Sequence, residues 1–415
     1  MAPATVSTPQ KRKASLSQAS ASKRTRSISI SVKVTHEATS DDGPSSPDLP
    51  IVPKNPQACL GGLPEELVLK IMEIVWMNGN DKVLSILCLT DKRCKRIAET
   101  VMYKIIDVDD SDSECAKAAA IARNALLPRH ARYIGLDFCE ESVEKVERES
   151  FVKILANAHD VQNVRLTEWR YRPTKHDELA HTLGWLQTLN TAVARPVLGN
   201  VNQFAKLKGL TIIASNLSVE RLSCVYRLPS LESLTLGKVY QTTPFKNWPV
   251  PESSSSIRKL CLDEAMINIF AVTQMLLTVK ALHSFTYDRN TERWEPFAAE
   301  GNPLSVWPEH SWKLLGDALR RHRHSLEAVY VMDDSDEDIL DLVYPGGREN
   351  DTLGSFRDFP RLKCCHVPIE AFLDPRTGAS DLSLYLPPQV GEAGTEVAPR
   401  RRCYRCGWWD SVWCA

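Results

Sequence analysis

The sequence predicts a mixed α+β and α/β protein. It has a small three-helix unit, then an irregular solenoid of alternating strands and helices, with a disordered tail in front. Three observations predict this. Residues 1–58 hold sixteen Ser/Thr and seven Pro but no Phe, Trp or Tyr. Residues 60–99 place apolar side chains at helical spacing in three short segments. From residue 131 a short apolar pattern suited to strands recurs eight times. The 415 residues are 43% apolar and 25% charged, which excludes a collagen-like or wholly disordered chain. No run of about 18 apolar residues occurs, so neither a membrane-spanning helix nor a membrane partner is expected.

The net charge of −1 is a sum of unlike parts. Residues 1–58 carry eight Lys/Arg and four Asp/Glu, a net of +4, while residues 59–415 carry 43 basic and 48 acidic residues, a net of −5. So polar a tail cannot bury enough apolar surface to offset its ordering entropy. It contains no apolar stretch like that of a signal peptide. Lys11-Arg12 and Lys23-Arg24-Thr25-Arg26 are separated by ten residues. Those clusters resemble a bipartite nuclear import signal read through Lys11, Arg12, Lys23, Arg24 and Arg26, which implies a nuclear location, with the cytoplasm as a second compartment. No aromatic residue interleaves to stack on bases, so nucleic acid is not favoured as a partner. Ser15, Ser22 and Ser27, beside basic residues, are plausible phosphorylation sites that would cancel local positive charge. The twelve cysteines, without even spacing, fit free thiols in a reducing compartment.

Residues 44–56 are Pro-rich and read as an extended linker. Pro64 then suits the first turn of a helix, with Glu65 and Glu66 well placed for its dipole. Leu67, Ile71, Ile74 and Val75 form an apolar stripe along it. Asn78-Gly79-Asn80 should break it, and Asp81 should cap a second helix over Val83–Leu89. A third helix is expected over Lys92–Glu99, basic on its outer face. A unit this small usually docks on something else.

The ordered series Leu63-Pro64-Glu65-Glu66-Leu67 to Ile71, then Val83 to Leu89, then Lys92 to Ala98, resembles an F-box. Ala98 to Ile106 is similar to the exit segment of fungal F-box proteins, and Cys94 stands where the family often has Trp. The resemblance covers residues 59–106. It implies docking on the Skp-family linker protein of a Skp–cullin–F-box ubiquitin ligase, and so a cullin as second partner. By position, Leu63, Pro64, Leu67, Ile71, Leu84 and Leu87 would form the apolar docking surface, a helix-in-groove contact.

The recurring pattern is apolar-x-x-apolar-x-apolar. Its instances begin at Ala131, Val161, Leu207, Leu231, Ile257, Leu282, Leu326 and Leu362. Helical stretches are expected between several of them, over Glu264–Lys280 and Trp312–Arg323. Strand then helix, repeated, is the signature of a leucine-rich-repeat-like solenoid. The third to sixth instances lie 24, 26 and 25 residues apart; the other gaps are 30, 46, 44 and 36. The usual Asn after the strand is missing from nearly every repeat, with Asn216 the nearest candidate. The region 107–390 therefore reads as a degenerate solenoid, with an ordinary α/β domain containing a parallel sheet as the alternative. In the solenoid, Lys208, Thr211, Glu232, Thr235, Arg258, Lys259, Cys261, His283, Ser284, Thr286, Glu327, Ala328 and Tyr330 would face a target protein.

Other constellations carry less. His176 and His181 are not spaced to share a helix face. Residues 107–114 and 333–338 read as solvated acidic loops, lacking the Gly and final Glu of a calcium loop. Arg320-Arg321-His322-Arg323-His324 would close a helix, with a phosphate site as a secondary reading. Cys403, Cys406 and Cys414 give three thiols where a closed zinc site needs four ligands. Residues 391–415, Arg-rich then Trp-rich, read as an unstructured extension. No phosphate loop, nucleophile elbow or paired catalytic carboxylates appear, so no catalytic residue, metal or cofactor is expected. The expected function is a non-catalytic, substrate-recognising ligase adaptor. The alternatives are a nuclear nucleic-acid-associated protein and an F-box scaffold that does not ubiquitinate.

Overall fold

Helix α1 (Glu65–Met77) begins where expected. Pro64 holds the cap position at φ −51°, and Glu65 and Glu66 occupy the first turn. A proline there forfeits no helical hydrogen bond. The computed structural model describes residues 60–109, 111–139, 145–169, 179–194, 204–214, 217–289, 311–332, 351–368, 371–372 and 384–390. The tail with Lys11, Arg12, Lys23, Arg24 and Arg26, and also His176, Asn216, the acidic run 333–338 and the extension 391–415, lie outside the described residues.

At the end of α1, Gly79 takes φ +70°, a left-handed conformation that glycine adopts without steric penalty. Helix α2 (Asp81–Leu87) starts and ends two residues earlier than expected; Asn80, not Asp81, holds its cap position. Helix α3 (Lys92–Met102) extends past Glu99 and is capped by Asp91. The Asp91 carboxylate accepts from the backbone N–H groups of Arg93 at 2.7 Å and Cys94 at 2.8 Å. Those bonds hold its carboxyl below the ordinary range. The three helices enclose Val68, Met72, Leu84, Cys94, Ile97, Ala98 and Val101. Cys94 is a buried small side chain of this core.

The chain then enters a nine-stranded sheet in which every pairing is parallel. Its strands are β1 (Ile105–Val108), β2 (Tyr133–Cys139), β3 (Asn163–Trp169), β4 (Gly209–Ala214), β5 (Ser233–Gly237), β7 (Lys259–Asp263), β9 (Ser284–Asp288), β10 (Ala328–Met332) and β11 (Cys364–His366). They lie side by side in chain order. Two short strands, β6 (Tyr240–Gln241) and β8 (Met266–Ile267), form a separate parallel pair. In all eight apolar patterns the second apolar residue falls on a strand, and the first lies two residues before that strand begins. Ile134, Val164, Leu210, Leu234, Leu260, Phe285, Val329 and Cys365 are successive register partners.

Parallel neighbours need crossover segments. Here they are α4 (Asp112–Arg123), α5 (Lys145–Asn157), α6 (Leu179–Ala194), a 3-10 helix (Val219–Arg227), α7 (Ile269–Thr278) and α8 (Trp312–Arg320). Their buried side chains, such as Ile121, Ile154, Leu189, Met275 and Leu319, join the strands' inward residues in one continuous core. The alternate residues of the strands remain partly open to solvent.

Several expectations need correction. The boundary at 106 falls inside β1, because Ile106 and Val108 bury against β2 while Ile105 and Asp107 face outward. Residues 107–114 are not one loop: Asp107 belongs to β1, and Asp112 and Glu114 lie in the first turn of α4. The helix expected from Glu264 begins only at Ile269, since Glu264 is in a left-handed corner at φ +47° and Met266–Ile267 form β8. Helix α8 stops at Arg320 rather than Arg323. Helices α4, α5 and α6 were not expected individually, for their apolar residues blend into polar sequence.

Candidate interaction surfaces

Of eleven exposed large apolar side chains among the described residues, seven belong to α1, α2 and the turn after α2. Leu67, Ile71, Ile74 and Met77 follow one another along α1; Val83, Ile86 and Leu89 follow on and just after α2. Leu67 is 52% exposed and Ile71 38%. Pro64 is exposed, and Leu63 and Leu87 are half-buried at the margin. Leu84 corrects the expected docking set, because it is 0% exposed. It packs into the core beside Val68 and Met72, so it can support the exposed face only from beneath.

That face sits on a core shared with α3, and polar contacts join the two segments at its margin. Arg96 Nη2 meets Glu65 Oε2 at 2.6 Å, and an Arg93 guanidinium N–H donates to the Leu63 carbonyl. Lys104 Nζ lies 3.3 Å from Glu73 Oε1. An exposed apolar helix face fixed this way suits insertion into an apolar groove.

The second surface is the open face of the sheet. Thr211, Thr235, Cys261, Thr286, Tyr330 and His366 are successive register partners across it. None of Lys208, Glu232, Arg258, Lys259, His283, Ser284, Glu327 and Ala328 is buried either. The rings of Tyr330 and His366 stack with centroids 6.4 Å apart. Arg165 Nη2 lies 3.4 Å from Asp107 Oδ1 on this face. Desolvation pushes the Cys261 thiol up to about 12, so it behaves as a small apolar side chain and not as a nucleophile.

Three members of the basic cluster at the end of α8 are engaged within the chain. Arg320 donates to the Leu353 carbonyl at 2.7 Å and pairs with Asp317, while Arg323 Nη1 lies 3.9 Å from Asp358 Oδ2. His322 is buried, with Nε2 3.0 Å from the Leu276 carbonyl and Nδ1 accepting from the Leu282 N–H. Among the described residues no three His, Cys, Asp or Glu side chains converge as metal ligands, and no helix is long and apolar enough to cross a membrane.

Sequence reasoning missed two buried amides that tie neighbouring turns together. Gln241 Oε1 accepts from Ser218 Oγ at 2.7 Å, and Gln241 Nε2 donates to the Thr243 carbonyl at 2.9 Å. Asn268 Nδ2 donates to the Thr242 carbonyl, while Asn268 Oδ1 caps α7 by accepting from Phe270 N–H at 2.9 Å. The matching corners Lys238 and Glu264, at φ +55° and +47°, were equally silent. Aligning the patterns at Leu231 and Ile257 would have exposed the match, since both corners follow at the same offset. Compared with known protein-family models and with curated proteins, the chain gives no match.

Proposed function

We propose that this chain is a substrate-recognition adaptor of a Skp–cullin–F-box ubiquitin ligase, with residues 60–104 as the F-box and the sheet region as a leucine-rich-repeat-like solenoid. The carrying observation is the exposed apolar face of α1 and α2, placed directly ahead of a parallel sheet whose strands follow in chain order. A small helical unit that leaves so much apolar surface open needs a partner. The solenoid reading is supported by strands that never reverse order and by repeated corners at Lys238 and Glu264. A doubly wound sheet would reverse its order at a switch point. In this reading the linker protein takes the face around Pro64, Leu67 and Ile71. The open sheet face takes a target protein and raises its effective concentration at the ligase.

The test is capture of the recombinant linker protein by the full chain. Wild type should retain it, and Leu67→Asp/Ile71→Asp should lose it while keeping its circular dichroism spectrum. Undiminished capture by that double variant removes the docking assignment. Leu63→Ala/Pro64→Ala should weaken capture less, because Leu63 is already half-buried against the core.

A further inference from the structure

The edge formed by the N-terminal ends of the strands carries much of the charge on the surface that the adaptor reading gives to a target protein. The residue before each strand is locked by a repeated backbone bond pattern. The Lys208 carbonyl accepts from the N–H groups of Glu232 and Ser233 at 2.8 and 2.9 Å. The Glu232 carbonyl accepts from Arg258 and Lys259 at 2.7 and 2.9 Å, and the Arg258 carbonyl from His283 and Ser284 at 2.7 and 3.0 Å. Lys208, Glu232, Arg258 and His283 thus project from rungs about 4.8 Å apart.

Toward both ends of this edge the lysines and arginines are neutralised within the chain. Arg132 and Lys206 share Asp160 at 3.5 and 2.6 Å, and His283 and Lys363 share Glu327 at 3.3 and 2.9 Å. In the centre they are not. Lys208, Arg227, Arg258, Lys259 and Lys280 are exposed, and none makes an ion pair or side-chain hydrogen bond with another described residue. The Lys280 N–H bonds the Ser255 carbonyl at 3.1 Å, which ties its loop to the segment leading into Arg258. Of the carboxylates between residues 204 and 289, Glu232 and Glu252 are exposed.

We infer that this central edge binds an acidic segment of a partner protein. Lys208 and Arg258 stand two rungs apart on one edge with Lys259 next to Arg258, and carboxylates laid across them would be drawn by that positive field. Arg227 and Arg258 can each grip a carboxylate with two parallel bonds. Nucleic acid fits less well. Glu232 sits on the rung between Lys208 and Arg258, where a uniform line of phosphates would meet it. No Phe, Trp or Tyr occupies the rung position on the described strands to stack on a base. The inference rests on reading the sheet region as the recognising part of the chain, and not on the role of α1.

The test is fluorescence anisotropy on the full chain at low salt. The probes are a labelled dodecapeptide of alternating Glu and Ser, its Lys/Ser counterpart, and a mixed-sequence single-stranded DNA dodecamer. The Glu/Ser peptide should bind and weaken as salt is added, and the Lys/Ser peptide should not bind. Lys208→Glu/Arg258→Glu, both exposed positions, should weaken Glu/Ser binding by about tenfold or more. Leu67→Asp/Ile71→Asp should leave it unchanged. No Glu/Ser binding, binding indifferent to the charge reversal, or tighter DNA binding lost on the same reversal each overturns the inference. Absent linker capture with intact peptide binding removes the ligase reading alone; the reverse result removes the edge alone.

Discussion

The helical unit and the sheet treat their apolar residues in opposite ways. In the unit, Val68 and Met72 turn one face of α1 into the core, while Leu67, Ile71, Ile74 and Met77 line a second face that nothing in the unit covers. In the sheet, β5, β7, β9 and β10 bury their inward residues and set mostly polar side chains, such as Ser233, Thr235, Lys259, Thr286 and Tyr330, on the other side. Size accounts for part of the contrast, since about forty residues cannot enclose two apolar faces. The rest is a matter of what each surface meets. A helix apolar on two faces has one for its own fold and one for another molecule. A strand polar on its open face stays soluble alone and discriminates by charge and hydrogen bonding when bound.

The most forceful way to break this contrast is a matched pair of truncations. Phe285→Ala removes a ring that is 0% exposed in the core beneath β9, and should cost about 3–5 kcal/mol in urea unfolding. Ile71→Ala, on the open helix face, should cost less than about 1 kcal/mol yet weaken linker capture. Equal stability losses would erase the distinction between the two regions.

A smaller and pH-dependent effect should arise at His322, which only the sheet region can show. Burial, with Arg321 nearby, pushes its pKa below the ordinary 6.5, so the folded chain holds the ring neutral. The unfolded chain binds a proton as pH falls through 6.5. The unfolded state thus gains protons first, and stability should fall as pH drops below that value, levelling once pH passes below the folded pKa. Urea midpoints measured from about pH 7 to about pH 5 should show this decline, and His322→Asn should flatten it. A decline of the same size in the variant would place the effect elsewhere.

The smallest effect belongs to the charged frame of the helical unit. Arg96 and Glu65 meet at 2.6 Å, but both side chains are more than half exposed. Arg96→Ala should shift unfolding by less than about 1 kcal/mol. A larger loss would mean that the pair, more than the core of Val68, Met72 and Ile97, sets how α1 sits on α3.

Much of the sheet was legible because strands obey local rules. Leu234 and Leu236 alternate by two, follow Leu231 and a Pro-containing turn, and recur with it one repeat later as Ile257, Leu260 and Leu262. Side chains on a strand alternate by covalent geometry, so the pattern names the buried residues before any partner is known. Helix α1 was legible through Pro64, the two glutamates and the break at Gly79. Less legible were β6 and β8, only two residues each, and the buried amides of Gln241 and Asn268, whose partners lie across neighbouring turns.

The sequence by itself determined the period of each element, the order of the strands' apolar residues and the apolar spacing along α1. Helical and extended backbones repeat at 3.6 and 2.0 residues whatever surrounds them, so these properties are local. Tertiary structure alone decided which of the helical unit's apolar residues are covered. It sent Leu84 inward and left Leu67 and Ile71 outside, because α3 arrives from beyond the turn at Asp91 and can lie against only one side of α1. It also decided which cations found carboxylates. Lys206 meets Asp160 across 46 residues of sequence, while Lys208, two residues on, meets none of the described carboxylates. Pairing at that range depends on where separate strands are brought side by side, and no local periodicity encodes it.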